Sequence, residues 1–322
     1  MKINFIDSVH AVLSTRLTVA GHTCEDLSEY TGDELLAQLH DSEGLIVRSR
    51  VMVDAELMKH APKLRFVARC GAGMENIDRE ACAKRDIRLY SSPEGNRDAV
   101  GEHALGMLLA LMNKLPKADR EVRKGIWDRK SNSGSELSGS TVGIIGFGQM
   151  GTAFAQRLLG FNVKVLAHDK YREGFGNSQV EPVSLEELMD RSDVISLHLP
   201  LTDETDHYAN AEFFARCEKP VWFINTARGP LVDTVALLDA IDAGKVRGAC
   251  LDVLEFEERS LVGLNTAQAD GVAQRLFANE QVLLSPHVAG ITTESYFKLA
   301  NVLADKILND YPATSGASRS TA

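Results

Sequence analysis

Short apolar runs alternate with amphipathic segments along most of the chain. Before residue 98, the apolar runs have the length of buried strands and predict strands at 2–6, 44–47, 65–68 and 87–89. The segments 33–39, 54–60 and 78–85 have helical spacing and predict helices between these strands. Such alternation predicts a parallel α/β sheet, because parallel strands need a crossover connection.

A long apolar segment follows and predicts a helix over 98–115. Apolar side chains cover so much of its circumference that burial on two sides is expected. The alternation then resumes, with predicted strands at 141–145, 163–167, 193–197, 221–225, 247–251 and 282–285 and a predicted helix at 153–159. A last helix is predicted at 294–308, and the small polar residues 313–322 are predicted to be disordered.

A glycine-rich turn joins the strand at 141–145 to the next helix. Gly146, Gly148 and Gly151 form the pattern G-x-G-x-x-G. In such turns the first glycine allows a tight bend, the second allows close approach of a pyrophosphate, and the third lets the helix pack against the sheet. The N–H groups at the start of the helix favour an anion, so the turn predicts a dinucleotide site.

An acidic residue at the end of the following strand strengthens this interpretation. Asp169 lies 18 positions after Gly151, close to the spacing at which a carboxylate hydrogen-bonds an adenosine ribose. That carboxylate would repel a 2′-phosphate, so the pattern favours NAD over NADP. Lys170 and Arg172 are close enough in sequence to weaken the preference.

Composition limits the classes of function. The 322 residues can form two compact domains, and 44% apolar with 25% charged residues is typical of globular proteins. With 35 basic and 45 acidic residues the net charge is −10, which argues against a nucleic-acid partner. Residues 1–7 resemble a strand rather than a signal peptide, and no apolar stretch has the length of a membrane span.

The cysteines indicate a cellular compartment. They are scattered, odd in number and without a C-x-x-C pair, at Cys24, Cys70, Cys82, Cys217 and Cys250. Reduced thiols of a cytoplasmic protein are therefore expected, and no metal site is predicted.

Three residue types with complementary chemistry follow successive predicted strands. Arg228, Glu257 and His287 each come shortly after one, where ligands bind in parallel α/β sheets. Reduction of a 2-keto acid needs a proton donor and a cation for the carboxylate. A histidine held by a carboxylate supplies the proton, and arginine binds the acid through two hydrogen bonds. Glu255 competes with Glu257 for the carboxylate role, and Asp252 could simply cap a turn.

Together these motifs resemble the signatures of the D-isomer-specific 2-hydroxyacid dehydrogenases. The matching segments are the glycine turn, Asn225-Thr-Ala-Arg-Gly-Pro-Leu-Val-Asp233, Leu251-Asp-Val-Leu-Glu-Phe-Glu257 and Ser285-Pro-His-Val-Ala-Gly290. The resemblance implies Arg228 as substrate anchor, His287 as acid/base and Glu257 as its partner. It also implies a set of cofactor-binding residues: Gly146, Gly148, Gln149, Met150, Gly151, Asp169, Thr205, Thr226, Ala227, Asp252, His287 and Gly290.

The resemblance also implies an architecture. Two Rossmann-like, doubly wound parallel-sheet domains are expected, with an NAD-binding domain at 99–288 inserted into a substrate domain made of 1–98 and 289–322. Dimerisation through the NAD-binding domain is typical of the family. The implied partners are a small anionic 2-hydroxy or 2-keto acid and a second copy of the chain, without nucleic acid or membrane.

Within the family, the N-terminal part most resembles the 3-phosphoglycerate dehydrogenases. Arg48 and Ser49 lie in the segment expected to approach a substrate phosphate, and Cys70, Gly71, Ala72 and Gly73 in the loop whose N–H groups would receive the carboxylate. The expected reaction is hydride transfer between NAD(H) and 3-phosphoglycerate, in L-serine biosynthesis. The chain ends without the amino-acid-binding regulatory domain of many such enzymes, so feedback through that domain is not expected.

Three departures leave the substrate open. Glu258 replaces a usual proline, Ala72 replaces a common threonine, and 30 positions separate Glu257 from His287, with residues 259–276 as a possible lid or surface helix. A glyoxylate, hydroxypyruvate or D-lactate type reductase is the alternative enzyme, in which Arg48 has no phosphate to bind. A third hypothesis, from another class, is an NAD(H)-sensing protein similar to the related corepressors.

Overall fold

The computed structural model describes residues 1–258, 263–265 and 271–312. The chain divides into two compact units, and the second is inserted into the first. Unit 1 consists of Met1–Asn96 and the segment that begins at Ile291, and unit 2 is Arg97–Gly290. Each unit contains its own sheet, in which every pair of neighbouring strands is parallel. This confirms the predicted fold class.

Unit 1 has a five-stranded sheet in the order β2-β1-β3-β4-β5. Its strands are β1 (Lys2–Phe5), β2 (Thr23–Asp26), β3 (Gly44–Val47), β4 (Phe66–Arg69) and β5 (Arg88–Ser91), and its first helices are α1 (Val12–Val19), α2 (Gly32–Gln38), α3 (Ala55–Lys59) and α4 (Arg79–Lys84). Successive residues of β3 enter different cores: Leu45 and Val47 pack on one face and Ile46 on the other. The sheet is therefore covered on both faces.

Unit 2 has a seven-stranded sheet in the order β12-β11-β10-β9-β6-β7-β8. Its strands are β6 (Thr141–Ile145), β7 (Lys164–His168), β8 (Val180–Pro182), β9 (Val194–Leu197), β10 (Val221–Asn225), β11 (Val246–Leu251) and β12 (Val282–Leu284). Its helices are α5 (Arg97–Met112), α6 (Leu115–Arg123), α7 (Gln149–Arg157), α8 (Leu185–Arg191), α9 (Ala211–Ala215), α10 (Thr234–Asp242) and α11 (Val272–Ala278). The strand order reverses between β6 and β9, which is the position where such sheets bind ligands. The chain then returns to unit 1 in α12 (Thr293–Asp310).

The long helix predicted over 98–115 was wrong at its end. Helix α5 stops at Met112, and Lys114, with a left-handed φ of 53°, turns the chain into α6. Pro116 lies in the first turn of α6, where its missing N–H costs no hydrogen bond. The apolar pattern continued through this break, so periodicity alone could not place it.

The elements that the sequence pattern missed include edge strands. Strand β2 reads Thr-Cys-Glu-Asp and β8 reads Val-Glu-Pro, and each lies at the edge of its sheet, where an apolar pattern is not required. Helix α1 was missed too, although it buries Leu13 and Leu17. The other predicted elements were found, with ends displaced by a few residues. The predicted disorder of 313–322 lies outside the described residues.

Further predictions concern cysteines, metals and membranes. All five cysteines are free. Burial raises the pKa of the Cys70 and Cys217 thiols to about 11, which keeps them protonated at neutral pH. In the part of the chain that the structure describes, no helix is long and apolar enough to cross a membrane. Among the same residues, no group of three or more His, Cys, Asp or Glu side chains could hold a metal ion.

Candidate active site

The glycine turn after β6 has the geometry that its sequence predicts. Gly146 has a φ of +89°, and a Cβ atom there would lie 2.5 Å from the carbonyl oxygen of His198. A Cβ atom at Gly151 would lie 2.1 Å from the carbonyl oxygen of Gly146, so helix α7 packs directly on the turn. By contrast, a Cβ atom at Gly148 would meet nothing within 4 Å. Gly148 therefore borders open space at the start of a helix.

The start of α7 suits a bound anion. Gln149 and Met150 form its first turn, Gly148 precedes it without a side-chain cap, and the turn contains no acidic residue. The Gln149 amide oxygen accepts a hydrogen bond of 2.6 Å from Arg97, which fixes this side chain. Uncapped N–H groups and the helix dipole both favour negative charge here, as a cofactor pyrophosphate requires.

A half-buried histidine that sequence analysis had not singled out supports the turn. His198 follows β9, packs against Phe154 and shares a hydrogen bond of 2.9 Å with Ser196. Burial lowers the pKa of His198 to about 4, so the imidazole is neutral at physiological pH. Its carbonyl group limits residue 146 to glycine.

Asp169 lies beside the glycine turn and contacts it directly. Its carboxylate accepts hydrogen bonds from the Phe147 N–H at 2.8 Å and the Tyr171 N–H at 3.0 Å. A carboxylate can accept about four hydrogen bonds, so two positions remain for ribose hydroxyls. The geometry therefore fits the predicted ribose contact.

Both cations that follow Asp169 have other partners. Lys170 pairs with Glu204, and Arg172 donates to the main-chain carbonyl of Phe147. The Arg172 guanidinium also lies 6.0 Å from the centre of the Phe175 ring. The Glu204 carboxylate balances the charge of Lys170, whereas a carbonyl acceptor leaves the positive charge of Arg172 beside the glycine turn.

The turn after β10 presents Thr226, Ala227 and Arg228. Asn225, fully buried at the end of the strand, accepts from the Ala227 N–H at 3.0 Å and donates to the Arg228 carbonyl oxygen at 2.8 Å. The Arg228 guanidinium donates to the Ala227 carbonyl oxygen at 2.6 Å. The Thr226 hydroxyl is buried without a hydrogen-bond partner among the described residues. A buried polar atom of this kind fits a site completed by a ligand.

Glu257 and His287 form a close pair. The β10, β11 and β12 strands are neighbours, with Asn225 opposite Leu251 and Leu251 opposite Leu284, so the loops after them leave the same edge of the sheet. In that setting, His287 Nδ1 lies 2.8 Å from Glu257 Oε2. The other oxygen of the Glu257 carboxylate accepts from the Leu254 N–H. Both side chains are mostly buried, with 27% and 15% exposed.

Glu255, the competing carboxylate, has a different partner. It lies 2.8 Å from His207 Nε2 and accepts from the Thr234 N–H at 3.0 Å, at the start of α10. The hydrogen bond to Glu255 raises the pKa of His207. Burial acts to raise the pKa of Glu255, but hydrogen bonds from Thr234 and His207 outweigh it and the pKa is lowered. The structure thus separates two His–Glu pairs that the sequence could not tell apart.

Asp252 is buried and organises the loop that carries His287. Its side chain is 1% exposed and accepts from the Val288 N–H at 3.0 Å, the Ala289 N–H at 2.8 Å and the Ser285 hydroxyl at 2.5 Å. Its carbonyl oxygen accepts from the His287 N–H at 2.7 Å. The predicted contact of Asp252 with the cofactor stays a prediction, and the structure adds a role within the loop.

The last two residues predicted to bind the cofactor, Thr205 and Gly290, lie on loops of unit 2. The Thr205 hydroxyl donates to the Pro200 carbonyl oxygen at 2.7 Å and accepts from the Thr202 N–H at 2.8 Å, so it stabilises its own loop. Gly290 follows the N–H groups that bind Asp252 and is the last residue of unit 2. Their contact with a cofactor stays a prediction.

In unit 1, three arginines lie at or just after the ends of β3 and β4, and they have different partners. Arg69 donates to the carbonyl oxygens of Arg48 and Gly73, and Arg50 pairs with Asp7 at 3.3 Å and donates to the Tyr30 carbonyl oxygen. The Arg48 guanidinium instead lies 6.0 Å from the centre of the Tyr296 ring and has no carboxylate partner among the described residues. Its predicted contact with a substrate phosphate stays a prediction.

The loop at 70–73 offers fewer N–H groups than its sequence suggests. The Cys70 N–H donates to Val47 at 2.8 Å and the Gly71 N–H to Arg69 at 2.9 Å. Within the described residues, the N–H groups of Ala72 and Gly73 have no such acceptor. Ser49, two residues after β3, lies next to Arg48 and is half-buried. The predicted contact of residues 70–73 with a carboxylate stays a prediction.

The segment after Glu257 folds back on the loop before it. The Glu258 N–H donates to the Gly263 carbonyl oxygen at 3.0 Å and the Asn265 N–H to Phe256 at 2.8 Å, in an antiparallel bridge between Glu257 and Leu264. Phe256 packs edge-on against Phe277 of α11, with ring centres 6.0 Å apart. The predicted surface helix thus corresponds in part to α11, while 259–262 and 266–270 lie outside the described residues.

Comparison with known proteins identifies the family. Residues 105–289 match the family described as "D-isomer specific 2-hydroxyacid dehydrogenase, NAD binding domain". The chain belongs to this family. The match confirms the predicted family and the predicted cofactor, NAD.

Proteins with different enzymatic activities are similar to this chain in sequence. D-3-phosphoglycerate dehydrogenase of Mycobacterium tuberculosis is 38% identical over 277 residues, which cover 85% of this chain and 50% of that protein. The chain thus spans about half the length of the phosphoglycerate dehydrogenases that it matches. Hydroxypyruvate reductase of Thermotoga maritima is 33% identical over 298 residues, which cover 92% of this chain and 94% of that protein.

A solved structure shows the same likeness. D-lactate dehydrogenase of Aquifex aeolicus, in complex with NAD and lactic acid, is 27% identical and superposes with a TM-score of 0.79, covering 97% of this chain and 96% of that one. The fold is shared over nearly the whole length. The substrates of these relatives differ, so likeness alone does not decide the substrate.

Proposed function

We propose that the protein is an NAD-dependent D-2-hydroxyacid dehydrogenase that transfers a hydride between NAD(H) and a D-2-hydroxy acid or 2-keto acid. The observation that carries this proposal is the His287–Glu257 pair, 2.8 Å apart, on the loops next to the Arg228 turn. An acid/base held by a carboxylate and an arginine for the substrate acid are the protein groups that this reaction needs.

The proton would move through His287 Nε2. Glu257 engages Nδ1, so Nδ1–H donates to the carboxylate and Nε2 is the nitrogen available to a substrate oxygen. In reduction, the imidazolium donates the Nε2 proton to the carbonyl oxygen; in oxidation, neutral Nε2 accepts the hydroxyl proton. The nicotinamide cofactor supplies or accepts the hydride.

Arg228 would bind the substrate carboxylate. Its guanidinium extends from a turn that Asn225 holds on both sides, so the arginine starts from a fixed backbone. Two parallel hydrogen bonds to a carboxylate would orient the adjacent carbonyl carbon. Asn225 therefore fixes the backbone of the turn that carries Arg228, a role that the sequence motif did not reveal.

We further propose 3-phosphoglycerate and 3-phosphohydroxypyruvate as the substrate pair, which places the protein in L-serine biosynthesis. Arg48 supports this substrate, because its guanidinium lacks a carboxylate partner among the described residues while Arg50 and Arg69 bind protein oxygens. The likeness to D-3-phosphoglycerate dehydrogenases supports it as well. Hydroxypyruvate or glyoxylate is the second candidate, favoured by the full-length likeness to a hydroxypyruvate reductase.

NADH consumption over a panel of 2-keto acids tests the activity. Wild-type protein is expected to reduce at least one of phosphohydroxypyruvate, hydroxypyruvate, glyoxylate and pyruvate. His287→Asn is expected to lower kcat by about 10²-fold or more, since it removes the acid/base. His40→Asn, at a side chain that is 74% exposed, is the control. Full turnover by a folded His287→Asn variant would contradict the proposed role.

Arg48→Gln separates the two substrate candidates. The expected result is a loss of about 10²-fold in kcat/KM for phosphohydroxypyruvate and a much smaller loss for hydroxypyruvate, since only the first carries a phosphate to bind. Arg50→Gln is the matched control, because Arg50 pairs with Asp7 and binds main-chain oxygens. Equal losses on both substrates would remove the argument for a phosphorylated substrate.

We also propose a cytoplasmic homodimer that assembles through unit 2. Large apolar side chains on α6 and just after it face solvent: Leu115 is 56% exposed, Val122 51%, Ile126 47% and Trp127 79%. Exposed apolar groups clustered on one short segment are typical of a protein interface. A second copy of the chain is the proposed occupant.

A further inference from the structure

A line of three hydrogen-bonding side chains leads from helix α5 to the His287 loop. His103 Nε2 lies 2.9 Å from the Ser285 hydroxyl oxygen, and that hydroxyl lies 2.5 Å from Asp252 Oδ1. His103 Nε2 also approaches Asp252 Oδ1 to 3.5 Å. The His103 side chain is 28% exposed, whereas Asp252 is buried.

The direction of these hydrogen bonds follows from their chemistry. A serine hydroxyl has one proton, and the short contact with a carboxylate, which can only accept, assigns that proton to Asp252. Ser285 must then accept at its oxygen, so His103 donates from Nε2. The arrangement requires His103 to be protonated at Nε2, and the carboxylate polarises the hydroxyl so that its oxygen accepts more strongly from the histidine.

Asp252 in turn determines the backbone of the acid/base. His287 has a left-handed φ of 54°, a strained conformation for a residue other than glycine. The Asp252 carbonyl oxygen binds the His287 N–H, and its carboxylate binds the two N–H groups that follow. The Asp252 carboxylate and main chain together hold this strained residue in place.

We propose that His103 is a positioning residue for the proposed acid/base His287, acting through Ser285 and Asp252. His103 does not contact His287; it holds the Ser285 hydroxyl, which fixes the carboxylate that shapes the 287–289 backbone. The role in catalysis rests on the proposed function. The coupling between the two histidines is a property of unit 2 and can be measured without substrate.

Two substitutions at residue 103 separate hydrogen bonding from bulk. His103→Gln places an amide N–H near the position of Nε2, whereas His103→Leu keeps volume and removes the donor. His103→Leu is expected to lower kcat by about 10- to 100-fold with the 2-keto acid KM within about threefold, since a misplaced acid/base affects the chemical step. His103→Gln is expected to stay within about threefold of wild type in kcat. Glu102→Gln, whose side chain on the same helix is 70% exposed, is the control.

A double-mutant cycle tests the route through Ser285. Ser285→Ala interrupts the same line, so His103→Leu with Ser285→Ala is expected to be no slower than Ser285→Ala alone. Melting temperature and NADH binding are measured for each variant. If His103→Leu does not fold, the other two variants decide the test. A wild-type kcat in Ser285→Ala would overturn the proposal. So would a folded His103→Gln variant that loses as much activity as Ser285→Ala.

Nitrogen-15 NMR of the histidine side chains gives a readout independent of turnover. The wild type is expected to show His103 protonated at Nε2, and Ser285→Ala and His103→Leu to shift the His287 signals, while Glu102→Gln leaves them unchanged. His103 in the Nδ1–H tautomer, or unchanged His287 signals in both variants, would overturn the coupling. Wild-type protein that reduces no 2-keto acid would instead refute the proposed function, whatever the NMR result.

Discussion

Gly229 lies so close to Leu254 that a Cβ atom at residue 229 would meet the Leu254 carbonyl oxygen at 1.9 Å. This contact joins the turn that carries Arg228 to the loop that carries Glu257. No side chain fits between the two backbones, because the blocking atoms belong to the main chain and cannot rotate away. The distance between the turn of Arg228 and the loop of Glu257 therefore depends on Gly229.

Gly229→Ala is expected to separate these loops. A forced backbone shift in a packed region costs about 1–3 kcal/mol, and the displaced Arg228 should lower kcat/KM by at least about tenfold. Steady-state kinetics and urea unfolding measure the two effects. Gly106→Ala is the control, because a Cβ atom there meets nothing within 4 Å and alanine favours the helix. Unchanged kinetics in Gly229→Ala would contradict the proposed coupling.

The two glutamates of this loop should respond differently to neutralisation. Glu257→Gln removes the carboxylate from His287 and is expected to lower kcat by about 10²-fold. Glu255→Gln alters the His207 pair and the hydrogen bond to Thr234, so it should lower the melting temperature with kcat within about threefold. Each variant is the control for the other. The reverse pattern would assign the acid/base partner to Glu255.

Asp169 is expected to govern the choice of cofactor. Asp169→Ala removes the charge that would repel a 2′-phosphate and the oxygens that suit the ribose, so the KM for NADH should rise at least about tenfold. The ratio of kcat/KM for NADPH to that for NADH should rise too. Asp203→Ala, at an exposed residue, is the control. An unchanged ratio would show that Asp169 does not discriminate between the cofactors.

The His207–Glu255 pair should make stability depend on pH in a defined direction. The pKa of His207 is raised from 6.5, so its contribution is complete below that value and is lost as pH rises through the raised pKa. The pKa of Glu255 is lowered from 4.5, so its contribution is complete above that value and is lost on further acidification. The pair therefore stabilises the fold most between about pH 5 and 6.

Melting curves of wild type and His207→Gln test this dependence. The melting temperature difference should be larger at about pH 5.5 than at about pH 9. It should also be small, since an exposed ion pair contributes less than about 1 kcal/mol. His40→Gln serves as the control because its side chain is 74% exposed. A difference that grows with rising pH would rule out the ion pair as the cause.

Trp127→Asp tests the proposed dimer. The indole is 79% exposed, so a charge there should leave the fold intact and weaken association at an apolar interface by at least about tenfold. Sedimentation velocity over a concentration series measures the change. Tyr171→Asp, at another large exposed side chain of unit 2, 78% exposed, is the control. A monomeric wild type, or an unchanged dimer in Trp127→Asp, would remove this segment from the interface.

Local patterns were enough to predict much of the fold and the candidate chemistry. The parallel α/β class follows from the alternation of apolar runs and helical segments, and the glycine turn follows from Gly146, Gly148 and Gly151, because backbone requirements are local to the turn. Local pattern could not predict β2 and β8, since edge strands need no apolar alternation, nor the break at Lys114, since a left-handed residue carries no periodic signal.

The sequence by itself determined which residue types follow each strand and hence the candidate set of Arg228, Glu257 and His287. Only the tertiary structure decided the partners. Glu257 binds His287 while Glu255 binds His207, and Arg50 is bound to Asp7 while Arg48 has no carboxylate partner in the described part of the chain. Residues two positions apart are equivalent in a sequence motif, but the direction of each side chain depends on strand register and on close backbone packing at Gly229.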